Sequence, residues 1–315
     1  MAKIDVAKAA FAGFGVIGRN PAAVLVWGLL LAVCGILPFL LVMGSFMSIF
    51  AEFSAVDPGA APPSPDAMMP MMSTMMLLQP LLILLSIAQQ AVLGGAVIRA
   101  VLEPENKSWF YLRFGAQELW LALVSIVFFV LVMVASMVIS VVSIPLMVIG
   151  MIGSPDNTAV AFLVIMPFLL AASLAFLWLT LRFSLAFPMT FAERQFRLFE
   201  SWTLTRGAGG SLFAVALILI AMMMVLYVLL VVVIGAVVLI GAGLASGGFD
   251  PAAIEAYFNQ DPKALMTAVL PWIVVGSVGG YTVAAAMMAV LLAPWAEAYR
   301  QLRGQTPSAE PAIAV

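Results

Sequence analysis

Six long apolar stretches limit what this chain can fold into. They cover roughly residues 22–50, 76–101, 119–150, 159–184, 211–245 and 265–297. A helix needs about 20 mostly apolar residues to cross roughly 30 Å of hydrocarbon, so each stretch is long enough to span a bilayer. Only 9% of the 315 residues are charged, whereas a soluble domain carries about 25%. The sequence therefore predicts an all-α, polytopic membrane protein with six transmembrane helices.

The remaining segments complete the predicted domain organisation. Residues 1–20 are expected to form a cytoplasmic amphipathic segment, residues 21–303 the six-helix membrane domain, and residues 304–315 a disordered tail. The first apolar stretch is longer than the core of a signal peptide, which has about 7–15 residues. We therefore expect the N-terminal segment to be retained rather than cleaved.

Basic residues are sorted between the two sides of the predicted helices. Of the 13 Lys and Arg residues, Lys263 alone lies on one side, together with acidic residues such as Asp57, Asp156 and Asp250. Cytoplasmic loops of membrane proteins carry an excess of Lys and Arg. Both termini are therefore predicted to be cytoplasmic, in a bacterial inner membrane. The basic residues of the cytoplasmic side are Lys3, Lys8, Arg19, Arg99, Lys107, Arg113, Arg182, Arg194, Arg197, Arg206, Arg300 and Arg303.

A short motif recurs before two of the odd-numbered spans. Trp109 and Arg113 form a W-x-x-x-R motif before the third span, and Trp202 and Arg206 form another before the fifth. Self-similarity of this kind is typical of repeat proteins. The pattern is consistent with three repeated helical hairpins, although basic residues before apolar runs also arise from topology alone.

Two segments have the spacing of amphipathic helices. Apolar residues recur every three or four positions near the N-terminus and again before the fifth span, where Glu193 and Arg197 have the i,i+4 spacing of an ion pair. Helices of this kind lie in the headgroup plane. They are expected either to anchor the topology or to form a platform that binds a partner or lipid headgroups. The apolar positions are Ile4, Ala7, Phe11 and Phe14, and Phe196, Phe199 and Trp202.

Two stretches resemble a known family. They are Arg182-Phe-Ser-Leu-Ala-Phe-Pro188 with Glu193 and Ser201-Trp-Thr-Leu-Thr-Arg-Gly207, and the closing Tyr299-Arg-Gln-Leu-Arg303-Gly304. They are similar to bacterial six-span proteins grouped with the membrane domain of glycerophosphodiester phosphodiesterases and with YciC-like inner-membrane proteins. The resemblance implies a six-helix bundle. It does not imply phosphodiesterase activity, because the chain has no counterpart of the catalytic domain.

The residue inventory disfavours catalysis. The chain has no histidine and a single cysteine, Cys34, so a Ser-His-Asp triad and a His-rich metal site are excluded. Arg99 and Arg182 lie at inner helix ends and Glu118 at the mouth of the third span, so no ionisable residue is predicted at the bilayer midplane. The net charge of −2 provides no basic surface for nucleic acid. We predict a protein that is not an enzyme and that has no cofactor or metal.

Three weaker patterns have alternative interpretations. The methionines of residues 68–76 are soft ligands suited to Cu(I), but methionine is also a flexible apolar filler, and this role is favoured. Gly276 and Gly280 form a GxxxG motif, which predicts close packing against a helix of the same bundle or of a dimer partner. Polar residues of the spans indicate inter-helix hydrogen bonds or a polar path; they are Gln89, Gln90, Ser125, Ser136, Ser140 and Ser143.

These patterns favour a non-enzymatic inner-membrane protein, a scaffold or envelope-maintenance factor that acts through its cytoplasmic face. The alternative is a transporter or conduit for a small molecule or lipid. The expected partners are membrane lipids, with a membrane protein or a second copy of the chain as further candidates, and no nucleic acid. The predicted interaction residues of the cytoplasmic face are Trp109, Arg113, Arg182, Glu193, Arg197, Trp202, Arg206, Tyr299 and Arg303.

Overall fold

The described part of the chain is helical and contains no strand. The computed structural model describes residues 4–54, 65–153, 158–245, 248, 250–258 and 262–304. Its helices are α1 (Val6–Ala10), α2 (Ala12–Arg19), α3 (Pro21–Ser54), α4 (Pro65–Leu102), α5 (Ala116–Gly153), α6 (Thr158–Phe183), α7 (Ala186–Glu193), α8 (Glu200–Leu204), α9 (Gly209–Ala245), α10 (Pro251–Phe258) and α11 (Pro262–Gly304). A short 3₁₀ turn, Ser108–Tyr111, precedes α5.

Five helical segments are long and apolar enough to cross a membrane. They are Met76–Leu102, Ser108–Ile152, Ile165–Glu193, Gly209–Val232 and Val278–Gly304. The segments Ala12–Arg19 and Pro21–Ile36 meet at an angle of 97° and make a sixth candidate if they are counted together. Within the described residues, the chain thus has five or six helices compatible with membrane spans. The number six stays a prediction.

Several helices extend beyond the predicted spans. α4 begins at Pro65, well before the predicted span that starts at residue 76, so the methionine-rich stretch of residues 68–76 lies in this helix. α5 continues through Pro145 to Gly153. Four helices begin with proline, which fits the first helical position because it has no N–H to leave unpaired there; they are α3, α4, α10 and α11.

The chain divides into two compact units. Unit 1 comprises residues 1–12, 90–217 and 292–315, and unit 2 comprises residues 13–89 and 218–291. In unit 1 a small core of Val124, Ala186 and Leu198 is completely buried beneath aromatic side chains of α6 and α7. In the most apolar part of α5, and likewise of α6, only 6% of the residues are buried, as expected of helices that face lipid.

In unit 2, glycines of α2 and α3 allow close approach to α11. A methyl group on Gly13 would collide with the backbone of Val290, and one on Gly28 would lie 2.5 Å from the Cα of Thr282. The predicted GxxxG residues behave differently, because a Cβ on Gly276 or Gly280 meets no described atom within 4 Å. Among the described residues, close packing of α11 therefore depends on its neighbours' glycines.

The predicted apolar face of the N-terminal amphipathic segment is only partly buried. Ile4 is buried, whereas Ala7, Phe11 and Phe14 are exposed. Asp5 caps α1 by accepting a hydrogen bond from the Lys8 N–H at 3.0 Å. A short helix, α10, lies between the last two long apolar helices, and its Ala252 N–H donates to the Asp250 carboxylate at 3.1 Å. Residues 55–64 lie outside the described residues, and so does the predicted tail except for Gly304, which is the last residue of α11.

The glycine contacts predict an asymmetric response to alanine. Gly28→Ala should lower the apparent free energy of unfolding by about 1–3 kcal/mol, because the added methyl overlaps the Thr282 backbone. Gly279→Ala is the control; it should be neutral or slightly stabilising, because alanine favours the helix and has open space there. Thermal unfolding in detergent measures both. Equal effects of the two substitutions would contradict this packing.

Candidate interaction surface in unit 1

The ion pairs found among the described residues all lie in unit 1. They lie within residues 99–118, 193–200 and 297–303. Together with the flanking residues 182–192 and 201–208, we call these segments the charged region. Polar contacts join its helices: Arg300 of α11 donates to the Val101 carbonyl at the end of α4 at 3.3 Å. The Asp5 N–H, next to α1, donates to Gln301 at 2.7 Å. Hydrogen bonds therefore join α11 to the end of α4 and to the segment before α1.

A buried ion pair connects α4 to α5. Arg99, in the last turn of α4, contacts Glu118, in the first turn of α5, and both side chains are at most 3% exposed. Glu118 also accepts a hydrogen bond from the Gly115 N–H at 3.0 Å. It occupies the third position of α5, from which an acidic side chain reaches back to satisfy the N-cap N–H. The Glu118 carboxylate therefore caps the start of α5 and also binds the arginine in the last turn of α4.

Arg99 also organises the surroundings of this ion pair. Its guanidinium donates to the Tyr111 carbonyl and lies 5.1 Å from the ring centre of Phe191 in α7. Gln117 accepts from Arg99 at 3.3 Å and donates to the Phe191 carbonyl at 3.3 Å. One arginine thus fixes α4, the 3₁₀ turn, α5 and α7 relative to one another.

Sequence reasoning missed this pairing. The sequence placed Arg99 at the inner end of one helix and Glu118 at the mouth of the next, and it did not predict a contact between them. The signal was present: opposite charges in the last turn of one predicted span and the first turn of the next, on the same side of the membrane. Helix ends joined by a loop of this length are close in space, so oppositely charged residues there can pair out of water.

Glu193 is the centre of a second cluster. Its carboxylate pairs with Arg303 of α11 and lies 3.0 Å from the Nε of Arg197. Arg303 also donates to the Tyr299 hydroxyl at 2.7 Å. Arg194 ends α7 in the left-handed conformation, with φ 54°. The predicted pairing of Glu193 with Arg197 is confirmed, but it forms across a helix end rather than along one amphipathic helix.

Arg197 extends this cluster to α8. Its guanidinium donates to Glu200 at 2.9 Å, and its N–H donates to the Thr190 hydroxyl at 3.1 Å. The hydrogen bond from Arg197 lowers the pKa of the Glu200 carboxyl below its usual value. Both groups are therefore charged at neutral pH.

Arg182 lies between two tryptophans. Its guanidinium carbon is 5.4 Å from the ring centre of Trp178 and 5.5 Å from that of Trp202. The two rings meet edge to face, with centroids 4.9 Å apart. The Ser201 hydroxyl donates to the Arg182 carbonyl at 2.8 Å, which joins α8 to the end of α6.

The turn before α5 exposes aromatic side chains. Trp109 and Phe110 have φ values of 52° and 57°, and Tyr111 has a φ of 65°. This left-handed region disfavours side chains with a Cβ. Trp109 is 83% exposed and Phe114 is 79% exposed, whereas Tyr111 is buried and donates its hydroxyl hydrogen to the Pro104 carbonyl at 3.1 Å. The buried Tyr111 ring therefore anchors the turn, and the side chains of Trp109 and Phe114 on either side of it in the sequence are exposed.

The two W-x-x-x-R motifs have different structures. Trp109 is exposed on the left-handed turn, and Arg113 contacts Asn106 and, at 2.6 Å, Ser108. Trp202 belongs to α8 and packs against Trp178, while Arg206 is exposed. The shared spacing is not accompanied by a shared conformation, and a threefold repeat stays a prediction.

The structure brings the predicted interaction residues together in three groups. Glu193, Arg197, Tyr299 and Arg303 form one cluster, and Arg182 and Trp202 form a second. Trp109 and Arg113 belong to the turn before α5. Arg206 joins none of these groups.

The structure gives contacts for three of the predicted polar residues and places two of the methionines beside a cavity. Ser125 and Ser136 donate to carbonyls of their own helix, at 2.8 and 2.9 Å, and Ser143 does so at 3.3 Å. Met72 and Met76 line a cavity of about 480 Å³ on α4 with Gln79, Pro80 and Ile83. The side chains of Met68, Met71 and Met75 lie outside the described residues, and Cu(I) binding stays untested.

Neither a family model, nor a curated protein, nor a solved structure matches this chain. The resemblance to the six-span family therefore stays a prediction. The class of protein is given by the fold: a helical protein with several helices long and apolar enough for a membrane.

The buried ion pair predicts strong coupling between its partners. Arg99→Met should lower the free energy of unfolding by about 3–5 kcal/mol, because it leaves the Glu118 charge buried without its partner. Arg99→Met with Glu118→Gln should cost much less than the sum of the two single changes. The readout is unfolding in detergent, with Arg206→Gln as an exposed control of nearly unchanged stability. Additive single changes would contradict the pairing.

Proposed function

We propose that this chain is a non-enzymatic protein of the bacterial inner membrane that acts as a scaffold or envelope-maintenance factor. Its charged region faces the cytoplasm and binds membrane lipids and a protein partner, either another membrane protein or a second copy of the chain. Both termini are on this side. The excess of Lys and Arg in the corresponding loops supports this orientation.

The aromatic turn before α5 is the observation that carries the proposal. Three successive left-handed residues cost about 1–2 kcal/mol each, and such strain persists only where the surroundings impose it. Here the Tyr111 carbonyl accepts from buried Arg99, while Trp109 and Phe114 remain exposed. Exposed aromatic rings are typical of protein contacts and of the membrane interface. The buried network thus supports a surface suited to binding.

The alternative, a transporter or conduit, lacks comparable support. The third-span serines were its expected polar lining. Ser125, Ser136 and Ser143 donate to backbone carbonyls of α5 itself, an arrangement that satisfies a hydroxyl within an apolar helix. No observation on the described residues favours a substrate path.

Cysteine labelling tests the orientation. In a Cys34→Ser background, Arg206→Cys should react with a membrane-impermeant maleimide only after the cells are opened. Asp250→Cys should react in intact cells, because it belongs to the opposite set of loops. Both residues are exposed. The reverse pattern would place the charged region outside and contradict the proposal.

Photo-crosslinking in native membranes tests the interaction surface. A photoreactive phenylalanine at Trp109 or Phe114 should give discrete adducts with lipid or protein. The same group at Val141, exposed in the middle of α5, should give only diffuse lipid labelling. The readout is mass spectrometry of the adducts, and Phe110→Ala should reduce their yield at Trp109 severalfold.

Two results together would end the scaffold proposal. One is the absence of any discrete adduct at Trp109 and Phe114. The other is a purified protein whose bound lipids match the bulk membrane in composition. The first result alone would exclude a protein partner at this surface, and the second alone would exclude a specific lipid partner.

A further inference from the structure

A groove between α6 and α9 combines an apolar floor with a cation at one end. Its volume is about 310 Å³, at the lower end of the range for ligand sites, about 300–1,000 Å³. All of it lies within unit 1. The lining residues are Leu174, Leu177, Trp178, Leu181, Arg182, Thr205, Gly209, Leu212 and Phe213.

The cation of the groove has no acidic partner among the described residues. Arg99, Arg197 and Arg303 each contact a carboxylate within 4.0 Å, and Arg182 contacts none. Its polar contact is the Thr205 hydroxyl at 3.5 Å, and that hydroxyl donates in turn to the Ser201 carbonyl at 2.9 Å. The guanidinium therefore keeps N–H donors for an anionic oxygen.

The tryptophans and the start of α9 complete this polar end. Trp178 and Trp202 flank the guanidinium and so hold it in place without neutralising its charge. α9 begins at Gly209, which lines the groove. The first N–H groups of a helix have no partner within it, and they favour a phosphate.

We propose that this groove binds an anionic phospholipid, with the headgroup phosphate at Arg182 and an acyl chain along the leucines of α6. Leu174 and Arg182 are separated by about 12 Å along the helix, so a single amphipathic molecule spans both ends of the groove. Its rim is open to the bilayer side, since Leu174, Trp178 and Phe213 are exposed. This site deepens the proposed function by naming its ligand class, and it rests on the membrane placement of that proposal.

Charge selects among lipids. A zwitterionic headgroup brings an ammonium group, and the described groove has no carboxylate to receive it. Anionic phosphatidylglycerol leaves one net negative charge to compensate Arg182. A hydrogen-bonded charge pair of this kind is worth about tenfold in affinity or more.

Native mass spectrometry of the full chain in mild detergent tests the site. Equimolar phosphatidylglycerol and phosphatidylethanolamine are added, and the bound fraction of each is measured. The wild-type protein should retain one phosphatidylglycerol with at least fivefold preference. Arg182→Gln should abolish the preference, whereas Lys8→Gln removes an equal charge from an exposed position of unit 1 outside the charged region and should preserve it.

A second pair of variants tests the part of the groove formed by the start of α9. Gly209→Leu should displace the lipid, because a side chain there extends into the groove and its Cβ meets no described atom within 4 Å. Gly210→Leu adds the same side chain at the next residue, which does not line the groove, and should leave binding unchanged. Arg182→Lys retains the charge without the planar donor geometry, so it should bind with intermediate strength.

Each contrary result has a distinct meaning. Equal losses in Arg182→Gln and Lys8→Gln would indicate general attraction of anionic lipid and overturn the site. Equal retention of the two lipids by the wild type, or equal binding by Gly209→Leu and Gly210→Leu, would also overturn it. If the site fails while discrete adducts at Trp109 persist, the scaffold proposal stands. If those adducts are absent while Arg182-dependent retention persists, the lipid site stands without the scaffold.

Discussion

The charged region depends on one interaction, the buried contact of Arg99 with Glu118. Burying such a pair gains little net stability, since desolvation offsets most of the attraction, but removing one partner is costly. The ion pair instead fixes the positions of the elements around it. Arg99 contacts the Tyr111 carbonyl, Gln117 and the Phe191 ring, so the end of α4, the turn before α5 and α7 share one fixed centre. Arg99 holds the exposed aromatic turn through the Tyr111 carbonyl, and it contacts α7, which ends at Glu193, through the Phe191 ring.

Apolar and polar residues have separate tasks in this chain. Along α5 and α6 the side chains are apolar and largely exposed, which is what a helix needs when its surroundings are lipid rather than water. The ionic and cation–π contacts collect where helices of unit 1 end. Specific recognition requires charge, hydrogen bonding or aromatic contact, so the charged region is where such chemistry is available.

The sequence predicts the helices well and the site only in part. Long apolar stretches predict long helices directly, so each of the six falls almost entirely within one helix, although α4 begins well before its predicted span. The expected pairing of Glu193 with Arg197 also forms. By contrast, the Arg99 and Glu118 contact, the left-handed backbone at Trp109 and the stacking of Arg182 depend on how loops bring helix ends together. The role of the GxxxG motif stays a prediction, because a Cβ on Gly276 or Gly280 meets no described atom within 4 Å, and the close approaches to α11 that the structure describes are made by Gly13 and Gly28.

Hydrogen–deuterium exchange of the full chain in nanodiscs tests most directly whether the charged region is the interaction surface. Exchange is compared between phosphatidylcholine nanodiscs and nanodiscs that contain phosphatidylglycerol. Our account predicts slower exchange with phosphatidylglycerol in residues 104–115 and 196–209, and unchanged exchange in α10, which lies outside the charged region. Unchanged exchange in the charged region, or equal slowing in α10, would contradict it.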